Sequence, residues 1–259
     1  LLFLVPVFAL LGLFVGSFLN VCIDRLPRGQ SIVYPPSHCA SCQHKLGFFD
    51  LFPLLSFLWL RGKCRYCGTF IPRRIPVVEA VTGLLFSLFF WKYGLGLELI
   101  IILVYTCIFL VIFFVDLEHM LVLDVIVFPG MLLALAASFF WPGVTGLGLL
   151  PGAPFDRILS SLAGGAIGLA AMALPYVVYR RGMGMGDIKL AALIGLATGF
   201  PSIFVALLLA VISGGLIAGV LLLSKIKKRT DAIPFAPFLA AAAMVALLWG
   251  QEILVWYLG

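Results

Sequence analysis

Long apolar runs separated by short polar breaks dominate the chain. Eight can be marked, at residues 1–23, 75–92, 97–115, 121–141, 158–179, 188–199, 200–224 and 234–257. Most reach the ~20 residues an α-helix needs to cross a hydrocarbon core. The sixth is short, and Gly199-Phe200-Pro201-Ser202 breaks it from the seventh. The pattern predicts an all-α polytopic membrane protein with about eight transmembrane helices. The one long polar interruption predicts a small extramembrane domain between the first and second helices. The expected organisation is a first helix (1–23), this domain (24–74) and a membrane domain of about seven helices (75–259).

Composition agrees. Hydrophobic residues make up 63% of the chain and charged residues 11%, whereas a soluble protein is nearer half apolar and a quarter charged. The first segment has neither a basic stretch before it nor a small-residue cleavage site after it. It is expected to be a retained span rather than a signal peptide.

Charge sets the orientation. Arg25, Arg28, Lys45, Arg61, Lys63, Arg65, Arg73 and Arg74 fall in the 24–74 domain. Arg180, Arg181 and Lys189 follow the fifth segment, and Lys225, Lys227, Lys228 and Arg229 follow the seventh. With eight spans these loops share one side, leaving only Lys92 and Arg157 on the other. This asymmetry makes the basic side cytoplasmic and places both termini outside. The simplest use of the charge is orientation and lipid-headgroup contact, and no nucleic-acid partner is expected.

The 24–74 domain contains Cys39-Ala-Ser-Cys42 and Cys64-Arg-Tyr-Cys67. Two CxxC pairs at this separation can close a tetrahedral thiolate site for Zn²⁺. The alternative, a pair of disulfides, suits a reducing compartment poorly. Four thiolates leave no open coordination position, so Cys39, Cys42, Cys64 and Cys67 are expected to hold a structural zinc. His38 and His44 flank the first pair and are expected to be ordinary loop histidines. Cys22 and Cys107 are expected to pack within spans.

The chain has eleven acidic residues. Asp116, Glu118 and Asp124 lie in "FVDLEHMLVLD", and Asp187 ends the glycine-rich strip "GMGMGD". Asp116 closes the third segment and Asp187 opens the sixth, so both fall at the cytoplasmic boundary. Such residues either mark helix ends, with Asp124 and Asp187 as N-caps, or form a functional pair. Two carboxylates in reach share a proton and can activate water against a carbonyl. Gly184 and Gly186 would let a substrate backbone approach Asp187.

With these features together, the chain resembles the type IV prepilin peptidases. The resemblance rests on "GSFLNVCIDRLP" (16–27), both CxxC pairs, "PLLSFLWLRGKCRYCG" (53–68), "DLEHMLVLD", "GMGMGDIKL" (182–190) and "IPFAPFLA" (233–240). It implies an aspartic endopeptidase with Asp116 and Asp187 as the catalytic pair, in the bacterial inner membrane. It implies removal of the basic leader of prepilins and type II secretion pseudopilins at the cytoplasmic face. It also implies N-methylation of the new terminus with S-adenosylmethionine, for which no local binding motif is evident. Leu123, Leu51 and Ala236 stand where the family usually has Pro, Asn and Gly. The rival readings are a methyltransferase whose aspartates bind the amine, and a zinc-stabilised assembly factor or transporter. Charges clustered at span ends rather than mid-membrane count against the transporter.

Overall fold

The computed structural model describes residues 2–140, 154–178, 184–228 and 233–258. Arg180, Arg181, Arg229, Asp231 and the Gly182-Met183 start of the glycine strip lie outside the described residues. The described chain is almost entirely helical: α1 (Val5–Arg25), α2 (Leu55–Trp59), α3 (Arg74–Tyr93), α4 (Leu97–His119), α5 (Asp124–Phe140), α6 (Pro154–Val178), α7 (Met185–Thr198), α8 (Ser202–Leu223) and α9 (Ala236–Leu258). Each of the eight apolar segments therefore becomes one helix. Six of them, α1, α3, α4, α6, α8 and α9, are long and apolar enough to cross a membrane. The helix α5 is apolar but shorter. The helix α7 has 14 residues, a rise of about 21 Å, short of the ~30 Å core.

The chain divides into two compact units, Leu1–Val111 and Ile112–Gly259, with the division inside α4. In the first, α1 and α3 pack backbone to backbone. A Cβ at Gly12 would lie 2.7 Å from Gly83 Cα, and one at Gly16 would lie 2.8 Å from Glu79 Cα. This is the small-residue seam that lets membrane helices approach closely. Asn20 Nδ2 donates to the Gly16 and Ile75 carbonyls at 3.2 and 3.1 Å, joining the two helices near the basic end. Arg74 and Asp24 pair at 2.8 Å where both helices leave the apolar region.

In the second unit α7 is buried on all sides by α5, α6, α8 and α9, as expected of a helix apolar all round. Its contact with α6 is closest: the Gly164 and Gly195 backbones touch, as do those of Gly168 and Ala191. Two serines of α6 reinforce the seam. Ser161 donates to the Leu196 carbonyl at 2.6 Å, and Ser160 donates to the Phe200 carbonyl at 2.8 Å.

Candidate active site and cysteine cluster

Asp116 lies one turn before the end of α4. The helix stops at Met120, whose φ of +53° is left-handed and whose N–H donates to the Asp116 carbonyl at 2.9 Å. The next residues lead directly into α5, and Val122 among them presses on Gly186. A Cβ at Gly186 would sit 2.7 Å from Val122 Cβ. This contact seats the start of α7 against the α4–α5 connection.

Asp187 is the third residue of α7, after an extended Gly184 at the N-cap. Its carboxylate reaches back to the Gly184 backbone, which is half of a capping box. From this position it lies close enough to Asp116 to feel that carboxylate's charge. Asp116 is only 5% exposed. It accepts a hydrogen bond from the backbone N–H of Ala236, the first residue of α9. Its Oδ2 is buried without a hydrogen-bond partner among the described residues. Like charges at short range resist joint ionisation, so such a pair tends to hold one shared proton.

The residues singled out from sequence thus fall into distinct places. Asp116 and Asp187 come together. Asp124 does not join them: it is the first residue of α5 and takes Lys189 on both oxygens at 2.8 Å. The Lys189 ammonium also lies 5.5 Å from the centre of the Phe128 ring, so the pair ties α7 to α5. Gly186 meets the chain's own Val122, whereas a Cβ at Gly184 would make only ordinary contacts, 3.8 Å from Gly186 N and 3.9 Å from Asp187 Oδ2. The contributions of Ala236 and Lys189 were not anticipated from sequence. The proline-rich "IPFAP" run was the available signal for the first, because two prolines fix where α9 can begin.

The four cysteines of the 24–74 domain converge. All four sulfurs lie within 4.8 Å of one another, and Cys39 and Cys67 Sγ are 3.8 Å apart. A tetrahedron with Zn–S bonds of ~2.3 Å has edges of about 3.8 Å, so the donor set fits the ion. The two turns are built alike. Cys39 N–H donates to His44 O and Gln43 N–H to Cys39 O, while Cys64 N–H donates to Thr69 O and Gly68 N–H to Cys64 O. The Thr69 hydroxyl oxygen lies 3.3 Å from Cys67 Sγ and, with the Thr69 backbone, holds the pKa of that thiol down at about 6, which suits a metal-bound thiolate. His44 stacks on Tyr66 with ring centres 3.7 Å apart, and His38 Nδ1 lies 3.0 Å from the Pro36 carbonyl.

A family model described as Bacterial Peptidase A24 N-terminal domain matches residues 10–93, and one described as Type IV leader peptidase family matches residues 102–219. A protein of Pseudomonas putida named prepilin leader peptidase/N-methyltransferase is 33% identical over 94% of this chain and 90% of its own length. One of the same name from Bacillus subtilis is 32% identical over 95% of each chain. A third, from Myxococcus xanthus, is 38% identical over 85% of this chain and 64% of its own. No solved structure matches the chain.

Proposed function

This chain belongs to the type IV leader peptidase family, and on that premise we propose that it cleaves the leader from prepilins and pseudopilins through Asp116 and Asp187. It is a multi-pass protein of the inner membrane. What supports the catalytic assignment is that the end of α4 and the start of α7 bring these two carboxylates within electrostatic reach of one another. One carboxylate takes a proton from the attacking water while the other gives its proton to the scissile carbonyl oxygen. The tetrahedral intermediate then collapses, and the amine leaves with a proton returned by the pair. The Ala236 N–H holds Asp116 in place, and the half capping box holds Asp187. The substrate's apolar N-terminal helix lies in the bilayer and brings the leader junction to the cytoplasmic boundary. The non-enzymatic reading gains nothing from these matches.

Zinc, held by Cys39, Cys42, Cys64 and Cys67, supplies cross-linking to a domain too small to order itself by burial alone. Methylation of the new terminus rests on the relatives' names. Asp50 is the one acidic residue between the two cysteine pairs. It is already engaged by Arg65 at 2.9 Å, the Tyr66 hydroxyl at 3.2 Å and the Gly47 N–H at 3.1 Å. It does not fit a free anchor for S-adenosylmethionine.

The test is cleavage of a prepilin by purified protein in detergent. Asp116→Ala and Asp187→Ala should each lower kcat by roughly 10²–10⁴-fold while remaining folded, and Asp124→Ala, which removes only the partner of Lys189, should lower it far less. Wild-type cleavage by a folded Asp116→Ala or Asp187→Ala protein would refute the assignment. Loss confined to Asp124→Ala would transfer the role to Asp124.

A further inference from the structure

Between the two cysteine turns runs "FFDLFPLLSFLWL" (48–60), thirteen residues of which eleven are neither charged nor hydroxylated. It contains α2, which at five residues is too short to cross a membrane. The rest of the 24–74 domain is polar, so the run needs a reason.

Its position in the first unit supplies one. The Asp24–Arg74 pair marks the level at which α1 and α3 leave the apolar region. The 48–60 run climbs beyond that level. Phe52 packs edge-on against Phe14 of α1 at 5.4 Å between ring centres, and Phe14 lies about 16 Å of helix rise inward from Arg25. The Leu54 N–H donates at 2.9 Å to Glu79 Oε2. Glu79 stands about 7 Å of rise beyond Arg74 on α3, is 5% exposed and is also bonded by Ser17 of α1. A loop amide facing water needs no buried carboxylate. One facing lipid does, because hydrocarbon offers it no partner.

Much of the run's other backbone is bonded internally. Ser56, Leu58 and Leu60 N–H donate to the carbonyls of Phe52, Leu54 and Ser56, and Gly62 N–H closes on Phe57 O. Phe57 turns inward beneath Gly62. The opposite face carries Leu55, Leu58 and Trp59, all exposed, with Trp59 87% exposed. Phe48 and Phe49 extend this face, and through Phe52 it is continuous with the exposed Phe14 and Phe18 of α1. Exposed Arg61 and Lys63 follow immediately in sequence, where anionic headgroups would meet them.

We propose that residues 48–60 form a shallow re-entrant wedge whose Leu55–Leu58–Trp59 face is seated in lipid acyl chains of the leaflet that receives the basic ends of α1 and α3. The proposal concerns lipid contact by the cysteine domain and stands apart from the catalytic assignment. The wedge fixes the cysteine domain against the bilayer at a third point besides its two helical tethers. From Leu54 to Leu60, where the Leu55–Leu58–Trp59 face lies, the N–H bonds of Leu54, Ser56, Leu58 and Leu60 stay within the protein, so side chains are what this face offers the lipid.

Trp59 is the reporter. The full chain and its Trp59→Phe variant are reconstituted in vesicles containing phosphatidylglycerol, with brominated or unbrominated acyl chains. The difference between their emission spectra isolates Trp59. That difference should lose most of its intensity in brominated vesicles and resist quenching by aqueous iodide. A second variant, Leu55→Trp in the Trp59→Phe background, should gain a signal with the same behaviour. Iodide quenching without bromolipid quenching would overturn the proposal by placing the face in water. Insensitivity to both would overturn it by showing the face covered by protein.

Discussion

A methyl group added at Gly186 would come within 2.7 Å of Val122 Cβ, so Gly186→Ala forces the start of α7 away from the α4–α5 connection. Such overpacking costs about 1–3 kcal/mol, and here it displaces Asp187, the next residue. Gly186→Ala should lower both the melting temperature in detergent and kcat, and Val122→Gly in the same chain should recover part of each. Unchanged melting and turnover would mean the contact is slack. From sequence, the glycine strip pointed to space for a substrate backbone. Its partner Val122 is distant in the chain, and nothing in the local pattern names it. Asp116 and Asp187 were legible because a carboxylate at a span end is expensive and this chain has few. Ala236 was not, since what it contributes is a backbone N–H, which every non-proline residue carries.

Among the elements, α7 depends on its neighbours for its position. The Asp124–Lys189 pair bridges 65 residues of sequence, and no periodicity within either helix foretells it. Asp124 has a half-exposed side chain, so the pair is worth at most about 1 kcal/mol. Its expected effect is on geometry: Lys189→Met should leave the melting temperature nearly unchanged while lowering kcat more than it raises KM. The charge exchange Asp124→Lys with Lys189→Asp should restore part of the rate. Equal losses in the single and exchanged proteins would dissociate the pair from Asp187. The cysteine turns were readable from their spacing alone, because a tetrahedral ion dictates it. Chelation, or Cys64→Ser, should open residues 30–73 to protease nicking while residues 185–223 stay protected. Nicking at the untreated rate would show that the domain holds without metal. The 48–60 run escaped the sequence reading because it is too short for a span and shares its loop with many charges.

For the whole molecule, the eight apolar segments became eight helices, because continuous hydrophobicity over such lengths has few other outcomes in lipid. The basic loops predict an orientation with both termini outside, and that expectation can be checked. Alkaline phosphatase fused after Tyr257 should be active, and a fluorescent protein fused there that folds only in the cytoplasm should be dark. The opposite pair of results would invert the topology. How the helices pack was not legible, since glycines of α6 and α7 are spaced alike in many helices that never meet. Yet the seam between those two helices constrains how the protein can work. Backbone lies on backbone there, and Ser160 and Ser161 bolt it closed. On the proposed assignment, a peptide entering beside Asp187 would meet a fixed post on one side and would have to be admitted by yielding on another. A disulfide engineered across the α6–α7 seam should leave turnover intact. Turnover lost on oxidation and regained on reduction would make that post the door.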